Sequence, residues 1–425
     1  MSEYIEIAVS DVVYREDLYP RIKADPVVIQ RYAENLELLP PIEINQHNIL
    51  IDGFHRWTAH RKMNSATIKA TVTTTTSDIE IYALAIKRNA EHGLQLSELD
   101  KKSDARRLYN AGHGLTKEEI AALLSVTLRT VNSYLQDIDR QIDEERNTKI
   151  FDMWLACYTD QEIAAVVGIS RPTITRKIES LVHFGNISKM NQTLASFAEP
   201  EFKTPLYNIW TFAKKTNAVS HFGNSEQTIL DNLLYLYTEP FDIVLDPFAG
   251  GGATIDVCKR RLRRYWVSDR KPIVEREKEI RMLDIAKEMP PLDNRWSEVS
   301  LTYLDPPYWK QAEGQYSHDA EDLANMPLDQ FTQTIANIIK QISRKQSHGV
   351  IAMLMQPTQW RAENRQFTDH VFDIIQAVGD KKLRVEYRVS CPYSTEQCTP
   401  QMVDWAKDNK QLLVLTRELV IWRVN

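Results

Sequence analysis

Apolar and polar positions divide the 425-residue chain into stretches of different period. From Leu206 to Asn425, short apolar runs alternate with longer segments of helical period. "FDIVLDPF", "RYWVSD", "LTYLDPPY", "GVIAMLMQ", "LRVEYRVS" and "LLVLTRELVIWRV" read as strands, the last as a hairpin with Arg417 and Glu418 near its turn. "LDQFTQTIANIIKQISRK" is a helix between two of them. This alternation predicts an α/β domain whose mostly parallel sheet is covered on both faces and ends in an antiparallel hairpin.

Residues 96–185 carry helical periodicity and an internal repeat. "LTKEEIAALLSVTLRTVNSYL" (Leu115 to Leu135) aligns without gaps to "YTDQEIAAVVGISRPTITRKI" (Tyr158 to Ile178), at an offset of 43 residues. The copies share Thr116/Thr159, Glu119/Glu162, Ile120/Ile163, Ala121/Ala164 and Thr130/Thr173. Each predicts a helix-turn-helix. Ile120, Ala121, Val126, Val131 and Leu135 form one small core, and Ile163, Ala164, Ile169, Ile174 and Ile178 the other. Residues 1–95 predict a smaller α/β domain: two short runs, "IEI" and "NILI", a turn at Gly53, a helix from about His55, and a β-branched strand from Ala66 to Thr76. Residues 186–205 are polar without a clear period and read as a linker, which leaves 206–425 as the last domain.

Composition narrows the setting. Hydrophobic residues at 43% and charged residues at 26% are ordinary for a globular protein. Cys157, Cys258, Cys391 and Cys398 form no C-x-x-C pair, which argues for a reducing compartment and against disulfides or zinc. His55 and His60 lack i, i+4 spacing, so no metal site is expected. No apolar run approaches the ~18 residues of a membrane span, and "MSEYIEIAVSD" lacks a signal pattern, so the expected location is cytoplasmic. A net charge of −6 weighs against a generally basic nucleic-acid binder, but charge is also local. "CKRRLRRYW" (Cys258 to Trp266) fits either a solvated helix face or a phosphate-facing patch.

Two motifs carry chemistry. "IVLDPFAGGGATIDVCKRR" is a strand, a glycine turn and a helix, and its glycines permit a sharp bend and close approach of a ligand. Asp246 ends the first strand. Asp269 ends the next, near the ~20-residue spacing at which an acid meets ribose hydroxyls in nucleotide folds. The phosphate-loop signature is absent. The second motif, "LTYLDPPYWK", stops a buried strand at Asp305, locks the backbone with Pro306 and Pro307, and follows with Tyr308 and Trp309. Taken alone, it also fits a structural Pro-Pro turn with both rings in the core.

"DPFAGGG" together with "DPPYW" resembles the amino-group DNA methyltransferases that use S-adenosylmethionine, over roughly the last 220 residues. The resemblance implies a Rossmann-like domain. Asp246, Phe248, Gly250 and Gly252 would hold the methionine part of the cofactor, and Asp269 its ribose. "LDI" would place Asp284 at the adenine amine. "FGNSEQTILDNLL" resembles the segment before the first motif, with Asn224 at the methionine end. The cofactor motif comes before the catalytic one, unlike members with the opposite order. Asp305 and the Pro306 carbonyl would accept the two N–H groups of the target amine, with Pro307 stiffening the loop. Tyr308 would stack on the flipped base, with Trp309 a possible addition. Adenine-N6 enzymes commonly carry Asp first in this loop, whereas cytosine-N4 enzymes more often begin with Ser.

The second helix of each repeat offers a face for a major groove, which points to double-stranded DNA as partner, with a homodimer also open. That face holds Arg129, Asn132 and Ser133 in one copy, and Arg171, Thr173, Thr175, Arg176 and Lys177 in the other. "IDGFHRWTAHRK" and "RNAEHG" resemble the ParB/sulfiredoxin-like domain. There Gly53, His55 and Arg56 would bind nucleotide phosphates at a helix N-terminus. Arg88-Asn89 replaces the family's Glu-Asn metal element, and an Asp52–Arg56 pair that merely stabilises the turn is the alternative. The expected activity is site-specific methylation of adenine N6. Cytosine N4, or a ParB-like regulator with a non-catalytic methyltransferase fold, stays open.

Overall fold

A computed structural model describes residues 4–91, 96–110, 114–211, 226–311, 313, 319–393 and 398–425. The chain divides into two compact units, Met1–Glu145 and Arg146–Asn425.

In the first unit, β1 (Ile5–Ala8), β2 (Ile42–Ile44), β3 (Leu50–Asp52) and β4 (Thr67–Val72) form a mixed sheet in the order β1-β4-β2-β3. Helix α1 (Pro26–Ala33) and helix α2 (Phe54–Lys62) accompany it. Gly53 caps α2 at φ 102°, and a Cβ there would meet Ile42 at 2.6 Å, so the turn requires glycine. Helices α3 (Asp78–Glu91), α4 (Glu98–Asn110), α5 (Lys117–Leu123) and the start of α6 (Leu128–Leu155) enclose a second core around Ile120, Leu124, Val131 and Leu135.

The repeat is visible in the caps. Thr116 with Glu119, and Thr159 with Glu162, form matching capping boxes. The turns that follow place Ser125 and Gly168 at φ 51° and 75°. The second helix of the first copy, α6, continues for 28 residues, because no Gly or Pro between Leu128 and Leu155 breaks it and Arg140 faces Glu144 one turn on.

The second unit continues with α7 (Asp160–Val167), α8 (Arg171–Leu181) and α9 (Lys189–Ala195). Ile163, Ile174 and Ile178 share a core with Ile150 of α6. Then follow α10 (Gln227–Tyr237), β5 (Ile243–Asp246), α11 (Ala253–Arg261), β6 (Arg264–Asp269), β7 (Arg281–Met282), β8 (Val299–Leu304), α12 (Leu328–Lys345), β9 (Val350–Met355), α13 (His370–Val378), β10 (Leu383–Pro392), α14 (Pro400–Asn409) and β11 (Thr416–Val424). The seven strands lie in the order β10-β11-β9-β8-β5-β6-β7; β5 to β9 are parallel and β11 runs antiparallel to both neighbours. Along β5, Ile243 and Leu245 join α12 on one face, while Val244 joins α10 and α11 on the other. The closing hairpin is not within "LLVLTRELVIWRV". Arg417 and Glu418 lie inside one continuous strand, whose hairpin partner is the distant β10.

The basic run at 258–266 is neither a solvated face nor a phosphate patch. Lys259 pairs with Glu279, Arg260 with Asp231, and Arg264 with Glu298. Arg261 meets Asp231 at 2.7 Å, Glu199, and the Leu194 carbonyl at 2.7 Å, with its guanidinium 4.1 Å from the Phe197 ring centre. Arg263 donates to Thr238 and to the carbonyl of Ala195. These arginines fasten to the sheet domain the polar stretch expected to be a linker, which contains α9. Arg261→Ala leaves the buried Glu199 without its cation, while Arg260 still holds Asp231, and should cost about 3–5 kcal/mol. Arg260→Ala leaves Asp231 paired and should cost under about 1 kcal/mol. Urea unfolding of both variants checks the ordering.

Candidate active site

The glycine turn is held by groups at both ends. Asp246 accepts the Phe248 amide at 2.9 Å and the Thr254 hydroxyl at 2.5 Å, and is 2% exposed. Burial pushes its carboxyl up to about 7, and Asp305 and Asp269 add to that. Gly250 and Gly252 have φ of 49° and 81°, and a Cβ on Gly252 would meet Arg276 at 2.6 Å. Arg276 donates to the Gly252 carbonyl at 2.9 Å and pairs with Asp256 and Glu279. Asp269 accepts the amides of Gly250 at 3.1 Å and Lys271 at 3.0 Å. Asp284 accepts the Ala286 amide at 3.1 Å and stands 3.7 Å from Arg270, which also pairs with Asp319. Thr254 and Arg276 escaped the sequence reading. Thr254 had a signal, lying in the first helical turn after the glycines; Arg276 had none.

A cavity of about 650 Å³ opens where the carboxyl ends of β5 and β8 lie side by side. It sits at the switch point of the sheet, where open α/β folds bind ligands. Asp246, Phe248, Gly250, Asp269, Asp284, Asp305 and Pro307 line it together. Gly252, Pro306 and Tyr308 do not, and Asn224 lies outside the described residues.

The aromatic pair after the prolines does not stand free. Trp309 turns into the core: its indole N–H donates to the Met326 carbonyl at 2.9 Å, and its ring meets His370 edge-on at 6.0 Å. Thr358 donates to the Trp309 carbonyl at 2.8 Å. Tyr308 is half-buried against the same core, and its hydroxyl donates to Asp305 at 3.2 Å. Burial raises the Tyr308 phenol well above its ordinary range, so it stays a donor.

In the helical repeats, Arg129, Asn132 and Ser133 are exposed on α6, and Arg171 and Arg176 on α8. The other α8 candidates are engaged. Thr173 bonds Ser170, Thr175 donates to Asp160, and Lys177 donates to Asn147 at 2.8 Å. In the first unit, Gly53 caps α2. His55 is buried and accepts the Asp25 amide at 2.9 Å, and Arg56 pairs with Asp52 at 2.8 Å. Among the described residues, no cluster of His, Cys, Asp or Glu could hold a metal, and no helix is long and apolar enough to cross a membrane.

This sheet order, with a glycine turn and an Asp-Pro-Pro loop at its switch point, defines a methyltransferase-type domain. Residues 76–287 match the N6_N4_Mtase family, described as DNA methylase. The match includes the glycine turn, Asp269 and Asp284 and stops before Asp305. No curated protein matches the chain. Among solved structures, it is similar to the C-terminally truncated chromosome-partitioning protein ParB from Caulobacter crescentus complexed to the centromeric parS site. Identity is 16% over 43% of this chain and 94% of that one, with a TM-score of 0.25. A Pnob8-like ParB-N domain is 10% identical over 46% and 89%, with a TM-score of 0.27.

Asp246 holds its proton to about pH 7 when folded, against an ordinary 3.8. The folded state therefore binds more protons in that window, and stability falls as pH rises through it. Asp246→Asn can keep both hydrogen bonds and does not titrate. Its melting temperature should lose part of the decline between about pH 4 and 7, as a pH series of thermal melts would show.

Proposed function

We propose that the unit Arg146–Asn425 methylates the exocyclic amine of a flipped DNA base, adenine N6 ahead of cytosine N4, with S-adenosylmethionine as donor. The observation that carries this reading is the meeting of the glycine turn, Asp269, Asp284 and Asp305 in one cavity. The lining fits the donor: carboxylates predominate, which suits a cationic sulfonium and ammonium, and Asp269 stands at a strand end where ribose hydroxyls are met. When bound, the donor supplies an electrophilic methyl group.

The chain's own residues prepare the amine, whose lone pair is delocalised into the ring. Asp305 and the Pro306 carbonyl accept its two N–H groups and favour the tetrahedral form. The proline pair fixes the carbonyl's direction, and the Tyr308 hydroxyl fixes one oxygen of Asp305. Asp305 takes up the proton released as the N–CH3 bond forms. Adenine is placed ahead of cytosine because Asp, not Ser, opens the loop.

The paired helices α5–α6 and α7–α8 are read as tandem helix-turn-helix elements that hold duplex DNA, with Arg171 and Arg176 as the exposed cations of the second.

Asp305→Asn should lower methylation by at least about a hundredfold while donor binding survives. Labelled donor and base identification by mass after DNA digestion give the readout, and the same assay on wild type separates N6-methyladenine from N4-methylcytosine. Arg171→Ala and Arg176→Ala should each weaken DNA binding and reduce the slope of log affinity against log salt by about 1. Lys177→Met should leave that slope unchanged, as anisotropy titrations would show.

A further inference from the structure

Behind the Asp-Pro-Pro loop lies a buried polar cluster that the proposed chemistry does not yet use. Arg417 of β11 is 1% exposed, and its Nη2 lies 2.8 Å from Oε2 of Glu226, the residue that caps α10. Its Nε donates to the Cys391 carbonyl at 3.3 Å. The flat guanidinium lies 4.1 Å from the centre of the Tyr393 ring. Tyr393 and Tyr308 both lie in the field of this guanidinium, and the Tyr308 hydroxyl donates to Asp305 at 3.2 Å. A buried cation, two phenols and the carboxylate at the cavity therefore lie in one cluster. The same cation grips the start of α10, whose Leu230 lines that cavity.

Stability alone gives little reason for such a pair. Buried ion pairs are often replaced by apolar residues without loss, because the desolvation of both charges offsets their attraction. Arg417 also cannot be exchanged freely for lysine, which has no planar face to lay on Tyr393. A guanidinium stacked on one ring and pinned by a carboxylate orients that ring, and a phenol held in one direction orients the group it contacts.

We infer that Arg417 is a positioning residue for Asp305, acting through Tyr393 and Tyr308, with Glu226 as the counter-ion that fixes it. The inference rests on the reading of Asp305 as the acceptor of the amine. Arg417 touches no reacting atom; it holds the carboxylate in the direction from which the amine is met.

The experiment is single-turnover methylation of duplex DNA by the full chain, with donor and DNA affinities measured in parallel. Arg417→Met alone leaves Glu226 buried without its cation and risks misfolding, so the decisive variant is Arg417→Met/Glu226→Gln, which removes both charges together. Tyr393→Phe removes the phenol hydroxyl and keeps the ring. The expected result is a methylation rate at least tenfold lower in the double variant and several-fold lower in Tyr393→Phe. Donor and DNA affinities should stay within threefold of wild type and melting temperatures should hold. Arg417→Lys should not rescue the rate. Wild-type rates in both the double variant and Tyr393→Phe would overturn the inference and leave the ion pair as scaffold, with the proposed function intact. Rates that fall only in step with melting temperature would overturn it equally. No methylation by the wild type would overturn the proposed function and this inference together.

Discussion

Parallel pairing of β5 with β8 is the constraint on which the site depends. Two strands far apart in sequence lie side by side and point the same way, so both carboxyl ends reach the same edge of the sheet. The first ends at Asp246 and opens into the glycine turn; the second ends at Asp305 and opens into the proline loop. Neither loop reaches into the other's chemistry by its own length. The sheet brings them together, and the reversal of strand order between β5 and β8 leaves a crevice there rather than a packed crossing.

Much of this was legible because strands buried on both faces betray themselves as short apolar runs. β5, β6 and β9 fall within stretches picked out by that signal and β8 overlaps one, while the internal repeat marked the region of α5 and α7. What was not legible depends on partners distant in sequence. "TRELV" looks like a turn because an Arg-Glu pair seldom sits inside a buried strand. Glu226, at the start of a helix distant in sequence, together with the Cys391 carbonyl and the Tyr393 ring, makes Arg417 tolerable there. Likewise, Asp231 and Glu199 lie about thirty and sixty residues before Arg261, and no local pattern could have matched them to it. The inward turn of Trp309 depends on the Met326 carbonyl and is equally non-local.

The arginines also show how weakly a composition speaks about partners. A cluster of cations in sequence suggests an anion outside the protein, yet every cation of the 259–264 run is answered by a carboxylate or carbonyl within the fold. The same holds in miniature on α8, where two of the polar residues on the helix are tied to Asp160 and Asn147. Charge that binds something else is what remains after such internal pairs are subtracted, and sequence alone does not perform that subtraction.

The glycine turn has one more implication. In outline it is the kind of bend that elsewhere cradles phosphate groups with backbone amides. Here Asp269 accepts the Gly250 amide, Asp246 accepts the Phe248 amide, and Arg270, which follows Asp269, is engaged with Asp284 and Asp319. A ligand arriving at this bend meets side-chain oxygens where free backbone donors would have been. The amides of the bend are thus already answered within the fold, which offers acceptors there rather than free donors.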